Sequence, residues 1–244
     1  MNKLLAIAQA VVADAVRRKV VWVVVVFAGL LAVAIPGLPS YGVGVIDGVF
    51  KQVAIALMWV AAIVVALALS ATRIPNEVER RTVFNIVARD VRRWQYVVGT
   101  WLGMFLVLGV VLLAFVCATI GIGWFTYGHP MFILLEAAFA TWLEIGIIMA
   151  FTLMLSTLFG SVTSVVGGLT LAFVGHAAVS FLHLPETQRA PIWFPSLDTF
   201  NVINPVALGN GITLVYLIAM LVLFVGYVTL FMSVGSFMFA GRDL

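Results

Sequence analysis

The sequence predicts an all-α membrane protein with six transmembrane helices, on three observations. The 244 residues are 64% hydrophobic and 9% charged, where a soluble globular domain carries about 25% charged residues. The apolar residues gather in runs approaching or exceeding the length that crosses a bilayer, broken by short polar or Pro/Gly-rich stretches. The basic residues are distributed by topology. With both termini in the cytoplasm, only Lys51 and Arg189 of the 13 Lys and Arg fall on the outside. That bias sets the orientation.

Residues 1–19 open the chain with Leu4, Ile7, Ala8, Val11, Val12 and Ala15 on one face and Gln9, Asp14, Arg17 and Arg18 off it. This pattern predicts an interfacial helix. Ala32-Val33-Ala34 has the form of a signal-peptide cleavage site, but Asp14 and the long N-region argue against one. The first span is 20–35, ended by Pro36-Gly37-Leu38-Pro39. Residues 41–50 read as a Gly-rich outer connection, and the second span as 51–72.

A charged island follows. Arg73, Glu77, Glu79, Arg80, Arg81, Arg89, Asp90, Arg92 and Arg93 lie between two nearly uncharged runs, so this segment belongs in the cytoplasm. Pro75 is expected to stop the second span. Asn76 and Glu79 have the spacing of a capping box, and Val83, Ile86, Val87, Val91 and Trp94 make an apolar stripe. The spacing predicts a helix over 76–94 that lies along the inner membrane surface. An ordinary basic loop on anionic lipid has the same charge pattern.

The third span is 96–120, with Gly99 and Gly103 as a small-xxx-small pair. Gly121 to Pro130 reads as an outer turn. The fourth and fifth spans are 131–155 and 162–184, joined by an inner turn, and the sixth is 212–239. Between the last two, residues 185–211 are too apolar for a free loop and predict short helices at the outer interface. The whole chain, 1–244, is one transmembrane domain.

Polar residues inside the spans are the candidate sites. Glu136 lies near the outer end of the fourth span and Glu144 near its middle. A mid-membrane carboxylate must be protonated, paired or facing water. His176 should sit at the depth of Glu144, which makes the two a candidate pair. Such a pair serves either a substrate or proton path or the locking of the bundle, and sequence does not separate these. His129, His183 and the Met residues lack metal-ligand spacing, and packing explains the Met better. The single Cys117 excludes an internal disulfide. There is no Walker-type phosphate loop and no nucleophile elbow. The charge of +3 calls for no nucleic-acid partner.

Glu77, Glu79, Arg81, Thr82, Arg93, Tyr96, Gly99 and Gly103 resemble the cytoplasmic loop of type-2 ABC exporter permeases. That loop carries a Glu, then Arg-Thr, a basic residue before an aromatic, and two Gly entering the next span. Asp90-Val91 and Thr100 stand where the family often has Pro and Lys. The resemblance implies a six-span permease with an N-terminal elbow helix. It also implies a coupling helix carrying Glu77, Glu79, Arg80, Arg81, Thr82, Arg89, Arg92 and Arg93. It further implies an outer gate in the segment of Asp198, Phe200, Asn201, Asn204 and Pro205. The expected partners are ABC ATPase subunits that hold ATP and Mg, a second permease chain and membrane lipids. This chain would hold no cofactor and would not itself be an enzyme. The expected substrate is lipid-like, hydrophobic or amphiphilic. The alternative from another class is a membrane scaffold or assembly factor that transports nothing.

Overall fold

The computed structural model describes residues 3–17, 21–34, 43–79, 92–181 and 196–241. Its long elements are helices: α1 Lys3–Arg17, α2 Val21–Ala34, α3 Val43–Glu79, α4 Arg93–Tyr127, α5 Leu134–Ser156 and α6 Ser161–Phe181. A 3₁₀ turn at Leu197–Phe200, a short α7 at Ile203–Ala207 and α8 at Leu214–Ala240 complete the described elements. No strand occurs among the described residues.

Four helical stretches are long and apolar enough to cross a membrane: Asp47–Asn76 within α3, and α4, α5 and α8. Shorter apolar stretches occupy Leu4–Ala15, Trp22–Val33 and Ser161–His176. Six full-length spans are therefore not all present among the described residues.

The core is built around α5. Its most apolar window is 78% buried, against 17% for that of α8. α3, α4, α6 and α8 all pack on α5. Ala137, Ala140, Ile145, Ile147, Ile148, Met149 and Leu153 are fully enclosed. Several hydroxyls in these helices are satisfied locally. The hydroxyls of Ser70, Thr119, Thr152 and Ser164 each donate to the carbonyl four residues back. This is how a hydroxyl is kept inside an apolar bundle without an orphan donor.

Several expected boundaries are corrected. Pro75 does not stop the second span, because α3 continues through it to Glu79. Proline removes one helical hydrogen bond, yet Ala71 and Ile74 in the turn leading into it are completely buried. Packing of that turn outweighs the lost bond. Asn76 is thus inside α3 and does not cap a new helix. Residues 43–50 are not a loop but the first turns of α3. There Phe50 is fully buried and stacks edge-on against Tyr127, centroids 5.3 Å apart. Asp47 holds Lys51 at 3.7 Å and His129 at 3.4 Å. α4 extends to Tyr127 and stops at Gly128, whose φ of +79° suits glycine. The turn before α5 is therefore shorter than the expected 121–130.

α1 packs along α4. Ala8, Val11 and Ala15, from its expected apolar face, are buried. The receiving surface is the Gly99/Gly103 pair. A methyl group on Gly103 would stand 2.7 Å from Val11 Cβ and 2.8 Å from the Ala8 carbonyl oxygen. The small-residue pair thus seats the N-terminal helix. Asp14 closes the contact at the far end, accepting from Arg73 Nη1 at 2.6 Å.

Candidate functional site

Glu144 falls at the middle of α5, where packing from α3 and α6 closes over it. It is 2% exposed. Trp59 Nε1 on α3 donates to Glu144 Oε1 at 2.7 Å. His176 Nε2 on α6 lies 2.8 Å from the same oxygen. The Trp59 and His176 rings meet edge-to-face, centroids 5.8 Å apart at 69°. Three helices therefore converge on one carboxylate oxygen. The expected Glu144–His176 pair is present, and Trp59 is its unexpected third member. A half-buried Trp at mid-span still needs a partner for its N–H, and that need was the available signal.

The site grades outward. The Glu144 side chain is 3% exposed and that of His176 27%. Beyond His176 comes the 3₁₀ turn, packed on α6 through Gly175. A methyl group there would sit 2.7 Å from Leu197 Cγ and Cδ1. That turn carries Asp198, which is exposed.

The three intramembrane polar residues do not form one cluster. Glu136 sits near the start of α5, and its Oε2 accepts from the backbone N–H of Ile212, just before α8. It satisfies a part-buried backbone donor near a helix start, as acidic groups do. Only Glu144 and His176 meet.

The outer-gate residues divide. Phe200 is buried, 2% exposed, and belongs to the core. Asn201 Oδ1 accepts from Ile203 N at 3.3 Å, at the start of α7. Asn204 and Pro205 are exposed on α7. The expectation of short helices in the Asp198–Asn210 segment is met by the 3₁₀ turn and α7.

The coupling residues also separate. Arg80, Arg81, Thr82 and Arg89 lie outside the described residues. Glu77 and Glu79 are in the last turn of α3, while Arg93 and Trp94 begin α4. The expected single helix over 76–94 is thus corrected at both ends, because α3 overruns Pro75 and α4 starts early. Arg92 N donates to Gln95 Oε1 at 3.2 Å, bracing the first turn of α4. Arg93 turns to α8, where its Nη1 donates to the Ala240 carbonyl at 2.7 Å and to that of Phe239 at 3.2 Å. Tyr96 stacks on Phe239 with centroids 5.7 Å apart.

Sequence reading missed an aromatic cluster joining α4, α5 and α8. Phe105 lies between Trp142, at 4.2 Å and 9°, and Trp101, at 5.0 Å and 12°, with Phe224 at 5.3 Å. Trp142 Nε1 donates to Phe105 O and Trp101 Nε1 to Gly146 O. Among the described residues no group of three or more His, Cys, Asp or Glu is placed to hold a metal ion.

A family model described as a protein of unknown function, DUF2705, matches residues 6–244. The chain belongs to the DUF2705 family. No match is found among curated proteins. The match begins within the first turn of α1 and spans every later helix, so the Trp59–Glu144–His176 site and the Gly99/Gly103 seat both lie within the DUF2705 region.

Proposed function

We propose that this chain is the transmembrane permease subunit of an ABC exporter in the cytoplasmic membrane, with both termini inside. It moves a lipid-like or amphiphilic substrate, while separate ATPase subunits bind ATP and Mg and a second permease chain completes the pore. The reading rests first on the resemblance of the stretch from Glu77 to Gly103. One structural observation supports it. The two helices that flank residues 80–91 are both fastened into the bundle at the same end. Arg73 ties α3 to Asp14 of α1, and Arg93 ties α4 to the last carbonyls of α8. A force applied to 80–91 therefore reaches α1, α3, α4 and α8 without slack. An input lever requires that connection, since coupling travels through contiguous packed elements.

The test is reversal of charge at Glu79 and Arg81 together in the tagged full-length chain, expressed in its native host. Rim ion pairs taken singly contribute little, so the double change is needed. The expected result is loss of the co-purifying Walker-motif ATPase, or loss of substrate-stimulated ATP turnover. A wild-type chain that brings down no ATPase and shows no ATP-dependent transport points instead to the scaffold reading.

A further inference from the structure

Glu144 is held through one oxygen only. Trp59 Nε1 and His176 Nε2 both end on Oε1, at 2.7 and 2.8 Å. No hydrogen bond among the described residues ends on Oε2. A carboxylate offers about four acceptor positions, so much of this group's capacity is unanswered there. The described basic side chains are engaged elsewhere. Lys51 is held by Asp47, Arg73 is paired with Asp14, and Arg93 donates to the last carbonyls of α8. The His176 Nε2 donor serves Oε1 alone, whether the ring is neutral or charged. A contact that merely locks three helices has no need of this open acceptor, because an acceptor left unmade inside an apolar bundle costs free energy.

The approach to Oε2 is lateral. α3 and α6 pack on each other, and Trp59 and His176 are only half-buried, while Glu144 behind them is enclosed. Both rings border exposed apolar surface. On α3 the residue after Trp59 is the exposed Val60, and on α6 the exposed Phe173 comes one turn before His176. The two rings, edge to face at 5.8 Å, thus form a rim between that surface and the carboxylate. The contact at Gly175, next to His176, is filled by the fully buried Leu197, so that side of α6 is closed.

The chemistry of the rim selects the ligand. An ionised Oε2 accepts and does not donate, so the ligand must bring N–H or O–H donors. A carboxylate at mid-span calls for a counter-charge, so a positive head fits best. The approach past Val60 and Phe173 requires an apolar body. Sites between the helices of a bundle commonly have this make-up, apolar walls with a few converging polar groups.

We propose that Trp59, Glu144 and His176 form a binding site for the ammonium head of a lipophilic amine. The amine enters from the bilayer between α3 and α6 and donates to Glu144 Oε2, and its apolar body stays beside Val60 and Phe173. As a transport site this rests on the permease reading and narrows its substrate to cationic amphiphiles. Binding itself needs no ATPase.

The experiment is equilibrium binding of radiolabelled dodecylamine to the purified full-length chain in lipid nanodiscs, with partition into empty nanodiscs subtracted. The pH is about 7, where an alkyl amine is charged. Dodecanol, with the same tail and no charge, is the comparison. The wild type should bind the amine saturably and the alcohol not at all. Affinity for the amine should fall about ten-fold or more in Glu144→Gln, as when one partner of a buried charge pair is removed. It should be unchanged in Glu136→Gln, the other carboxylate of α5. A wild type that binds amine no better than alcohol overturns the proposal by itself, even where a variant fails to fold. Equal amine binding by Glu144→Gln overturns it as well. Either failure, with an ATPase still co-purifying, removes the amine site and leaves the permease reading. Specific amine binding by a chain that brings down no ATPase keeps the site and removes that reading.

Discussion

Arg93, at the first residue of α4, holds Ala240, at the last residue of α8, with Nη1 2.7 Å from the carbonyl oxygen. The final carbonyls of a helix have no partner within it, and a cation there also meets the negative end of the helix dipole. Arg93→Ala should destabilise the protein by about 1–2 kcal/mol, because its two charge-assisted bonds to the last carbonyls are partly exposed and therefore screened. Arg93→Lys should recover part of that. Denaturant unfolding in detergent measures the loss, and faster amide exchange confined to the last turn of α8 would locate it. Equal exchange throughout α8 would mean that the contact does not hold this end.

The seat of α1 gives a second test. Gly103→Ala places a methyl 2.7 Å from Val11 Cβ and 2.8 Å from the Ala8 carbonyl oxygen. The second of these is backbone and cannot rotate away. The substitution should push α1 off α4 and cost about 1–3 kcal/mol, the range for overpacking. Limited proteolysis within residues 3–17 should accelerate. Gly121→Ala on the same helix meets nothing within 4 Å and serves as control, with no change in cleavage.

Much of this was readable in advance, and the misreadings have physical causes. The apolar face of α1, the Glu144–His176 pair and the short helices after Asp198 followed from periodicity and from the scarcity of polar residues in spans. The end of α3 did not follow, because proline and a cap-like Asn are local signals. The packing that overrode them, around Ile74 and Ala71, is tertiary. Trp59 was not singled out as a site residue because Trp is also a packing residue, and the need of its N–H for a partner does not say which partner it takes. Its partner choice depends on three helices meeting, which spacing within one helix cannot reveal. The Phe105 stack was hidden for the same reason.

The proposed orientation can be tested at the two ends of the bundle. Arg73, Arg93 and the C-terminal turn of α8 share one end, while Asp47, Lys51 and His129 share the other. In a Cys117→Ser background, a cysteine at His129 should react with a membrane-impermeant maleimide in intact cells. One at Gly160, in the turn between α5 and α6, should react only after permeabilisation. The reverse pattern would invert the protein and remove the expected cytoplasmic site for an ATPase.

The last prediction concerns Gly146 and the ring stack it admits. A methyl on Gly146 would fall 2.6 Å from Phe105 Cε2 and 2.9 Å from Phe224 Cε2. Phe105 is already held on both faces, by Trp142 at 4.2 Å and Trp101 at 5.0 Å. It can yield only by breaking one of those stacks, each worth about 0.5–1.5 kcal/mol beyond area burial. Trp101 is pinned in turn by its N–H bond to the carbonyl of Gly146 itself, so the clash and the hydrogen bond share one residue. Gly146→Ala should therefore cost about 1–3 kcal/mol and reduce the near-ultraviolet circular dichroism of the Trp residues. Gly226→Ala on α8, where a methyl meets nothing within 4 Å, should be neutral or stabilising by about 0.5–1 kcal/mol through backbone entropy. Two Gly→Ala changes in apolar helices then differ in sign because one glycine is filled by a ring and the other by nothing. If both variants unfold alike, the stack does not hold α4, α5 and α8 together.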